Sequence, residues 1–210
     1  YGITRVSLGM NDFDFSHTLE PGAHLETPPV YCGKTEGLGE MSRQMNRFCL
    51  ENLLPSRFRA EPLPVLYNSW EATEFNVNVA DQTRLAEIAA GIGVELFVMD
   101  DGWFGARNND RAGLGDWFVN PEKFPGGLDE LIGNVNALGM DFGLWVEPEM
   151  VNPDSDLYRA HPDWAYHFPH RHADELRHQL VLNMTRSDVQ AYILDCLDRL
   201  LTDHNIRYIK

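Results

Sequence analysis

No apolar run in the 210-residue sequence approaches the roughly 20 residues that a membrane-crossing helix needs, and no signal-peptide pattern is visible. Basic residues are scarce: 17 Lys and Arg stand against 32 Asp and Glu, a formal net charge of −15. Such a surface repels phosphate backbones and anionic headgroups, so neither nucleic acid nor a membrane is an expected partner. Cysteine is scarcer still. Cys32, Cys49 and Cys196 are odd in number, widely spaced and without a Cys-x-x-Cys pair, which fits free thiols and a cytoplasmic setting. Also missing is a glycine-rich loop after the first strand-like run of the repeating region, the mark of a nucleotide-binding open sheet. What is present, 43% hydrophobic and 11% aromatic residues, suffices for a sizeable core. The sequence opens on Tyr1 rather than Met and closes on Lys210, directly after the strand-like Ile206-Arg207-Tyr208-Ile209, so an internal piece of a longer protein is expected.

The stretch Val94 to Phe104 organises the rest. It starts as an apolar strand and ends in Asp100-Asp101-Gly102-Trp103-Phe104. A buried, unpaired carboxylate costs several kcal/mol by a rough estimate, so the acid pair belongs where a strand emerges. Before it, residues 1 to about 35 carry strand and turn signals: Arg5 to Met10 alternates, Phe13 and Phe15 alternate, and His24 to Tyr31 reads as extended. Glu40 to about Leu54 is helical in its spacing, and the three prolines of Pro55 to Pro64 mark a domain boundary. From Val65 onward strands and helices alternate. Strands are expected at 65–70, 94–99, 141–146 and 206–209, and helices at 81–92, 128–138 and 187–204. Leu85, Ile88, Ala89 and Ile92 form the expected apolar stripe of the first helix; Val189, Ile193, Cys196, Leu197 and Leu200 form that of the last, where Ser187 with Gln190 makes an expected capping box. Residues 105–127 form a long loop, and residues 178–184 read either as a strand of the main sheet or as an excursion within a loop. Repeated β-α units imply a parallel sheet, and a (β/α)₈ barrel cut roughly in half fits better than an open sheet.

Several side chains at the strand ends could carry chemistry. Asp100 and Asp101 read as a helix cap plus a surface acid, as a hard-cation site, or as a clamp for the hydroxyls of a polyhydroxylated ring. Trp70 and Trp145 are either core residues or flat platforms for the apolar face of such a ring. Glu147 and Glu149 resemble the paired carboxylates of glycoside cleavage, or serve as buried acids that fix a neighbour. Arg177 and Lys210 are surface charges or ligand contacts. The histidines at 167, 170, 172 and 178 lack metal-ligand spacing on a helix or strand, so no metal is expected.

Read together, these motifs carry a resemblance. Tyr67-Asn68-Ser69-Trp70-Glu71-Ala72, Phe97 to Phe104, Gly143 to Met150, and Gln179 to Asn183 resemble the α-galactosidases of glycoside hydrolase family 36. Gly115-Asp116-Trp117, Asn120 to Pro125 and Ser42-Arg43 are similar as well. The resemblance implies the end of an N-terminal β-sandwich domain plus a connecting helix in residues 1–60, then the first half of a catalytic (β/α)₈ TIM barrel in residues 61–210. It implies retaining hydrolysis of terminal α-D-galactose from sugars such as melibiose and raffinose, with no cofactor and no metal. Asp100 and Asp101 would hold galactose hydroxyls, Trp70 and Trp145 line the pocket, and Arg177 and Lys210 contact the sugar. No catalytic carboxylate is expected within the chain. In the family the closing motif continues Lys-Trp-Asp-Met-Asn, placing the nucleophile two residues after Lys210 and the acid/base further on. Glu147 and Glu149 then support the pocket. Asn183 stands where many relatives carry Asp, with little expected consequence. Related activities stay open: an α-N-acetylgalactosaminidase, a raffinose-type galactosyl transferase, or a carbohydrate binder with a dead site. Oligosaccharide is the expected partner, and a homo-oligomer, by family analogy a tetramer, the expected assembly. Residues 1–210 alone are expected to be inactive and poorly soluble, because a half barrel exposes strand edges.

Overall fold

The computed structural model describes residues 2, 5–11, 15–173 and 175–210. The chain divides into two compact units, Tyr1–Pro62 and Leu63–Lys210. Among the described residues no helix is long and apolar enough to cross a membrane.

The first unit is built around α1 (Leu38–Phe48), which continues into a single π turn at Cys49–Leu53. Glu40 stitches the first turn together by accepting from Arg43 and Gln44, three and four residues on. The strands expected at 5–10 and 24–31 do not form among the described residues. An extended segment becomes a strand only when a neighbour takes its N–H and C=O groups. Val6, Leu8, Val30 and Tyr31 all remain exposed, with no partner strand beside them among the described residues. Phe13 lies outside the described residues.

The second unit is α/β. Its four-stranded sheet runs β1 (Leu66–Asn68), β2 (Leu96–Met99), β3 (Asp141–Leu144) and β6 (Tyr208–Ile209), every neighbouring pair parallel. The strands lie in sequence order with no reversal, whereas a doubly wound sheet switches direction at its ligand crevice. This consecutive parallel order is that of a partial (β/α) barrel. All four residues of β2 are buried, as expected of a strand covered on both faces.

Helices α3 (Val79–Gly91), α4 (Leu128–Ala137) and α6 (Ser187–Asp203) are the long connections. Helix α3 starts two residues earlier than its periodicity suggests. Asn78 caps it, accepting from the Asp81 N–H while donating back to the Asp81 carboxylate. Its core face is Gln82, Ala86 and Ala89, which corrects the expected stripe: Ile88 and Ile92 are exposed. Small alanines let the helix axis lie close to the sheet. On α6 the expected stripe holds, with Val189, Ile193, Cys196 and Leu200 buried. The capping box does not form, because the N-cap is Arg186 and the Gln190 amide reaches the Met184 carbonyl instead.

The remaining pieces are α2 (Trp70–Thr73), β4 (Met150–Val151), α5 (Asp156–Ala160) and β5 (Leu180–Val181). Strands β4 and β5 pair antiparallel to each other, apart from the main sheet. Residues 178–184 are therefore an excursion between β3 and α6. Asn183, the departure from the family pattern, accepts from the Thr185 N–H and hydroxyl in the turn before α6.

Candidate active site

The carboxyl ends of the parallel strands converge on Asp100. This residue follows β2, and its carboxylate (4% exposed) accepts from Asn68 Nδ2 at the end of β1 and from Lys210 Nζ after β6, each at 2.6 Å. Its own N–H donates to Ser69 Oγ at 3.0 Å, and its Oδ1 takes the Asp101 N–H. Three strand ends are thus tied by one carboxylate. The ion pair with Lys210 is half open: the lysine side chain is 47% exposed, so its ammonium keeps protons available to a ligand.

Asp101 (3% exposed) is held differently. Arg107 Nε donates to Oδ1 at 2.9 Å and Oδ2 at 3.1 Å, and Nη2 donates to Oδ2 at 2.8 Å. A carboxylate has about four acceptor positions, so the fork leaves part of it for another donor. The turn that follows depends on Gly102, at φ 106°. A Cβ there would lie 2.7 Å from the Phe75 carbonyl oxygen and 2.9 Å from the Phe75 Cα. Lys123, from the far end of the long loop, donates to the carbonyls of Phe75, Gly102 and Arg107 at 2.7–2.8 Å and locks this turn in place. Burial pushes its ammonium pKa down, partly offset by the charge of Asp101.

The tryptophans sit at two strand ends. Trp145 follows β3, half-buried, stacked over Phe104 at 6.2 Å with Trp117 at 6.3 Å. The indole of the fully buried Trp103 donates to the Trp145 carbonyl at 2.9 Å. Trp145 is therefore a preset surface on an aromatic base. Trp70 opens α2 after β1 rather than ending the strand, and meets Phe75 edge-on at 5.1 Å.

Glu147 lies in the same region, half-buried, and accepts from Gln179 Nε2 at 3.3 Å. Burial raises its pKa, the neighbouring Glu149 and Asp101 add to the rise, and Arg177 and Arg107 oppose it. Arg177 is exposed. With His178 it forms the centre of a two-residue turn at φ 54° and 60°, closed by mutual backbone bonds between Leu176 and Gln179. Asp116 is structural: its two oxygens accept the Asp156 and Leu157 N–H groups at the start of α5, and burial raises its pKa against those bonds.

Of the expected site residues, Asp100, Lys210 and Asp101 are brought together, Trp70 and Trp145 stand at flanking strand ends, and Arg177 lies on the excursion, its charge opposing the rise in the Glu147 pKa. Asn68, Arg107, Lys123 and Asn152 were not singled out by sequence reasoning. Asn68 and Lys123 lie inside quoted motifs, and Arg107 and Asn152 lie three and two residues beyond the ends of others, but none of the four carries a periodic signal of its own. Among the described residues no group of three or more His, Cys, Asp or Glu side chains could hold a metal ion.

Comparison with known proteins gives this arrangement a context. The chain is 47% identical over its full length to alpha-galactosidase AgaA of Geobacillus stearothermophilus, covering 29% of that protein. It is 44% identical to alpha-galactosidase C of Emericella nidulans, covering 30% of it. A crystal structure of a GH36 alpha-galactosidase AgaA variant with raffinose superposes with a TM-score of 0.79 at 47% identity, over 84% of this chain and 24% of that one. The variant bound to stachyose gives 0.78 at 48% identity, over 83% and 24%. The chain thus spans under a third of the curated relatives it matches. Residues 24–210 match the family described as melibiase, and the chain belongs to that family.

Proposed function

We propose that the full-length protein is a retaining α-galactosidase that releases terminal α-linked galactose from small oligosaccharides such as melibiose and raffinose. The observation that carries this reading is the pair of buried carboxylates, Asp100 and Asp101, presented at a strand mouth with Lys210 between flanking tryptophans. Vicinal sugar hydroxyls donate to charged acceptors in bonds worth roughly 1.5–3 kcal/mol each. Asp100 and Asp101 take galactose hydroxyls, Lys210 and Arg177 donate to sugar oxygens, and Trp70 and Trp145 face the apolar side of the ring. Glu147 and Glu149 support the pocket.

The chemistry belongs to a carboxylate pair beyond these residues. By family resemblance the nucleophile is the Asp of a Lys-Trp-Asp-Met-Asn motif beginning at Lys210, and the acid/base follows later. The nucleophile attacks the anomeric carbon through an oxocarbenium-like transition state, the second carboxyl protonates the leaving oxygen, and water then releases the sugar with retention. Residues 1–60 are assigned to the end of an N-terminal β-sandwich domain with its connecting helix, and 61–210 to the first barrel half. The division between Pro62 and Leu63 supports that boundary. A cytoplasmic homo-oligomer fits three free cysteines and the family resemblance, and light scattering on the full-length protein checks the assembly.

The test is hydrolysis of p-nitrophenyl α-galactoside by the full-length enzyme beside its Asp101→Asn variant. Parent activity, with kcat/KM at least about tenfold lower in the variant, is expected from the loss of one charged contact. Unchanged kcat/KM in the variant refutes the clamp. A preference for the N-acetyl substrate, or transfer to a sugar acceptor in place of water, redirects the reading to the related activities. Binding without turnover redirects it to a dead site.

A further inference from the structure

Arg107 is the most deeply buried charged side chain among the described residues, at 0% exposure, yet the sugar reading gives it no direct part. Four of its five N–H groups are engaged: Nε and one on Nη2 with Asp101, and both on Nη1, with the Ala112 carbonyl at 3.2 Å and Asn152 Oδ1 at 2.9 Å. Phe75 and Phe104 pack against its guanidinium at 5.2 and 5.9 Å. A guanidinium so tied has a single orientation.

Asn152 is equally buried and faces two ways. Its Oδ1 accepts from Arg107 and from the Leu114 N–H at 3.0 Å, while its Nδ2 donates to the carbonyls of Asp110 at 3.1 Å and His178 at 2.8 Å. The reverse amide orientation would set an NH₂ group against two donors, so the network fixes which atom is oxygen.

His178 is the second central residue of the Arg177 turn. Two-residue turns of this hand ordinarily use Asn-Gly, because both central residues need positive φ. Here Arg177 and His178, neither a glycine, hold φ values of 54° and 60°. An external anchor is what such a turn requires. It has two: Asn152 holds the His178 carbonyl, and Glu147 holds the Gln179 amide at 3.3 Å.

One line of polar groups therefore runs from Asp101 through Arg107 and Asn152 to the backbone beside Arg177. We propose that Arg107 and Asn152 are positioning residues that hold the Asp101 carboxylate and the Arg177 turn in fixed relation, so that a galactoside meets both contacts together. The proposal rests on the galactosidase reading and adds to it a coupling between two sugar contacts from separate parts of the fold.

The experiment is a double-mutant cycle in the full-length enzyme on p-nitrophenyl α-galactoside. Asn152→Asp keeps the oxygen facing Arg107 and replaces the donor facing the His178 and Asp110 carbonyls by an oxygen. KM is expected to rise roughly tenfold, with kcat altered by no more than about twofold, because, of the two bonds lost, the one to the His178 carbonyl anchors a binding group. In an Arg177→Ala background the same change should raise KM by less than about twofold, since the group it positions is gone. Equal effects in both backgrounds overturn the relay and leave the galactosidase reading standing. An unchanged KM in Arg177→Ala alone removes Arg177 from the sugar site and overturns that contact together with the relay. Glycine adopts positive φ unaided, so adding His178→Gly to Asn152→Asp should bring KM back towards the parent value; a KM that stays raised counts against the proposal. Should Asn152→Asp not accumulate as folded protein, Arg107→Lys takes its place in the cycle with Arg177→Ala. The lysine keeps a charge beside Asp101 but cannot span to Asn152 as well; because it also loosens Asp101 directly, its effect on KM is expected to be smaller with Arg177→Ala than in the parent, and an equal effect overturns the relay.

Discussion

Replacing Arg107 by methionine strips the protein donors from a carboxylate that is only 3% exposed. Methionine keeps much of the volume and the contacts to Phe75 and Phe104, so packing changes little while every hydrogen bond is lost. Asp101, at 3% exposure, is left as an uncompensated buried charge. Breaking a buried ion pair from one side costs about 3–5 kcal/mol. The Ala112 carbonyl and Asn152 Oδ1 lose a donor as well, but local relaxation offsets part of that, so about 3–5 kcal/mol is the expected total. The informative comparison is the double variant Asp101→Asn/Arg107→Met. It removes the charge along with its partner, and is expected to be more stable than Arg107→Met alone although it carries one more substitution. Denaturant unfolding of the full-length protein, followed by tryptophan fluorescence, measures both. A loss below about 1 kcal/mol in the single variant, or a double variant less stable than the single, would show that Asp101 does not depend on Arg107 as a buried partner.

Gly102→Ala forces a Cβ to within 2.7 Å of the Phe75 carbonyl oxygen at a φ of 106°, so a loss of at least about 1–3 kcal/mol from backbone strain is expected in thermal unfolding. Lys123→Met removes the donor shared by the Phe75, Gly102 and Arg107 carbonyls, and limited proteolysis should find the 105–127 loop cut faster than in the parent, with kcat/KM lowered alongside. Glu147 holds its proton to higher pH in the folded protein than its ordinary 4.5, chiefly through burial, with Glu149 and Asp101 adding and Arg177 and Arg107 opposing. Its contribution to stability is therefore complete below that ordinary value and lost as pH rises through the raised one, a decline that Glu147→Gln should flatten in pH-resolved denaturation.

What could be read from the sequence was what repeats or runs together. The apolar run before Asp100 could only be a buried strand, and its abrupt end in two acids could only be a mouth; β2 and the Asp100–Lys210 pair bear this out. The stripe of α6 was legible for the same reason, because five apolar residues at helical spacing need a common wall. Where the reading failed, a local preference lost to a partner that sequence does not display. Arg5 to Met10 alternates like a strand but has no neighbour to pair with among the described residues. Ser187 and Gln190 have the chemistry of a capping box, yet the Met184 carbonyl wins the glutamine. Ile88 and Ile92 look like core, but beside the expected Ala89 it is Gln82 and Ala86 that fit beneath the helix.

The site residues divide along the same line, and the division explains which of them went unnoticed. Asp100, Asp101, Trp70, Trp145 and Lys210 all stand at or next to strand ends, where the change from apolar to polar is visible in the sequence itself. Arg107, Lys123 and Asn152 act through bonds spanning 5 to 48 positions, mostly to backbone carbonyls or to each other. A carbonyl acceptor is supplied by every residue type, so such a bond leaves no compositional trace at its receiving end. What does leave a trace is the length of the loop. Residues 105–127 contain no long helix or strand, and a segment that long stays ordered only if side chains replace the missing ladder. Arg107, Asn120 and Lys123 do this by binding Asp101, the Gly105 carbonyl and three further carbonyls. A buried cation within such a loop, close in sequence to a strand-end acid, is therefore a readable sign of a positioning residue.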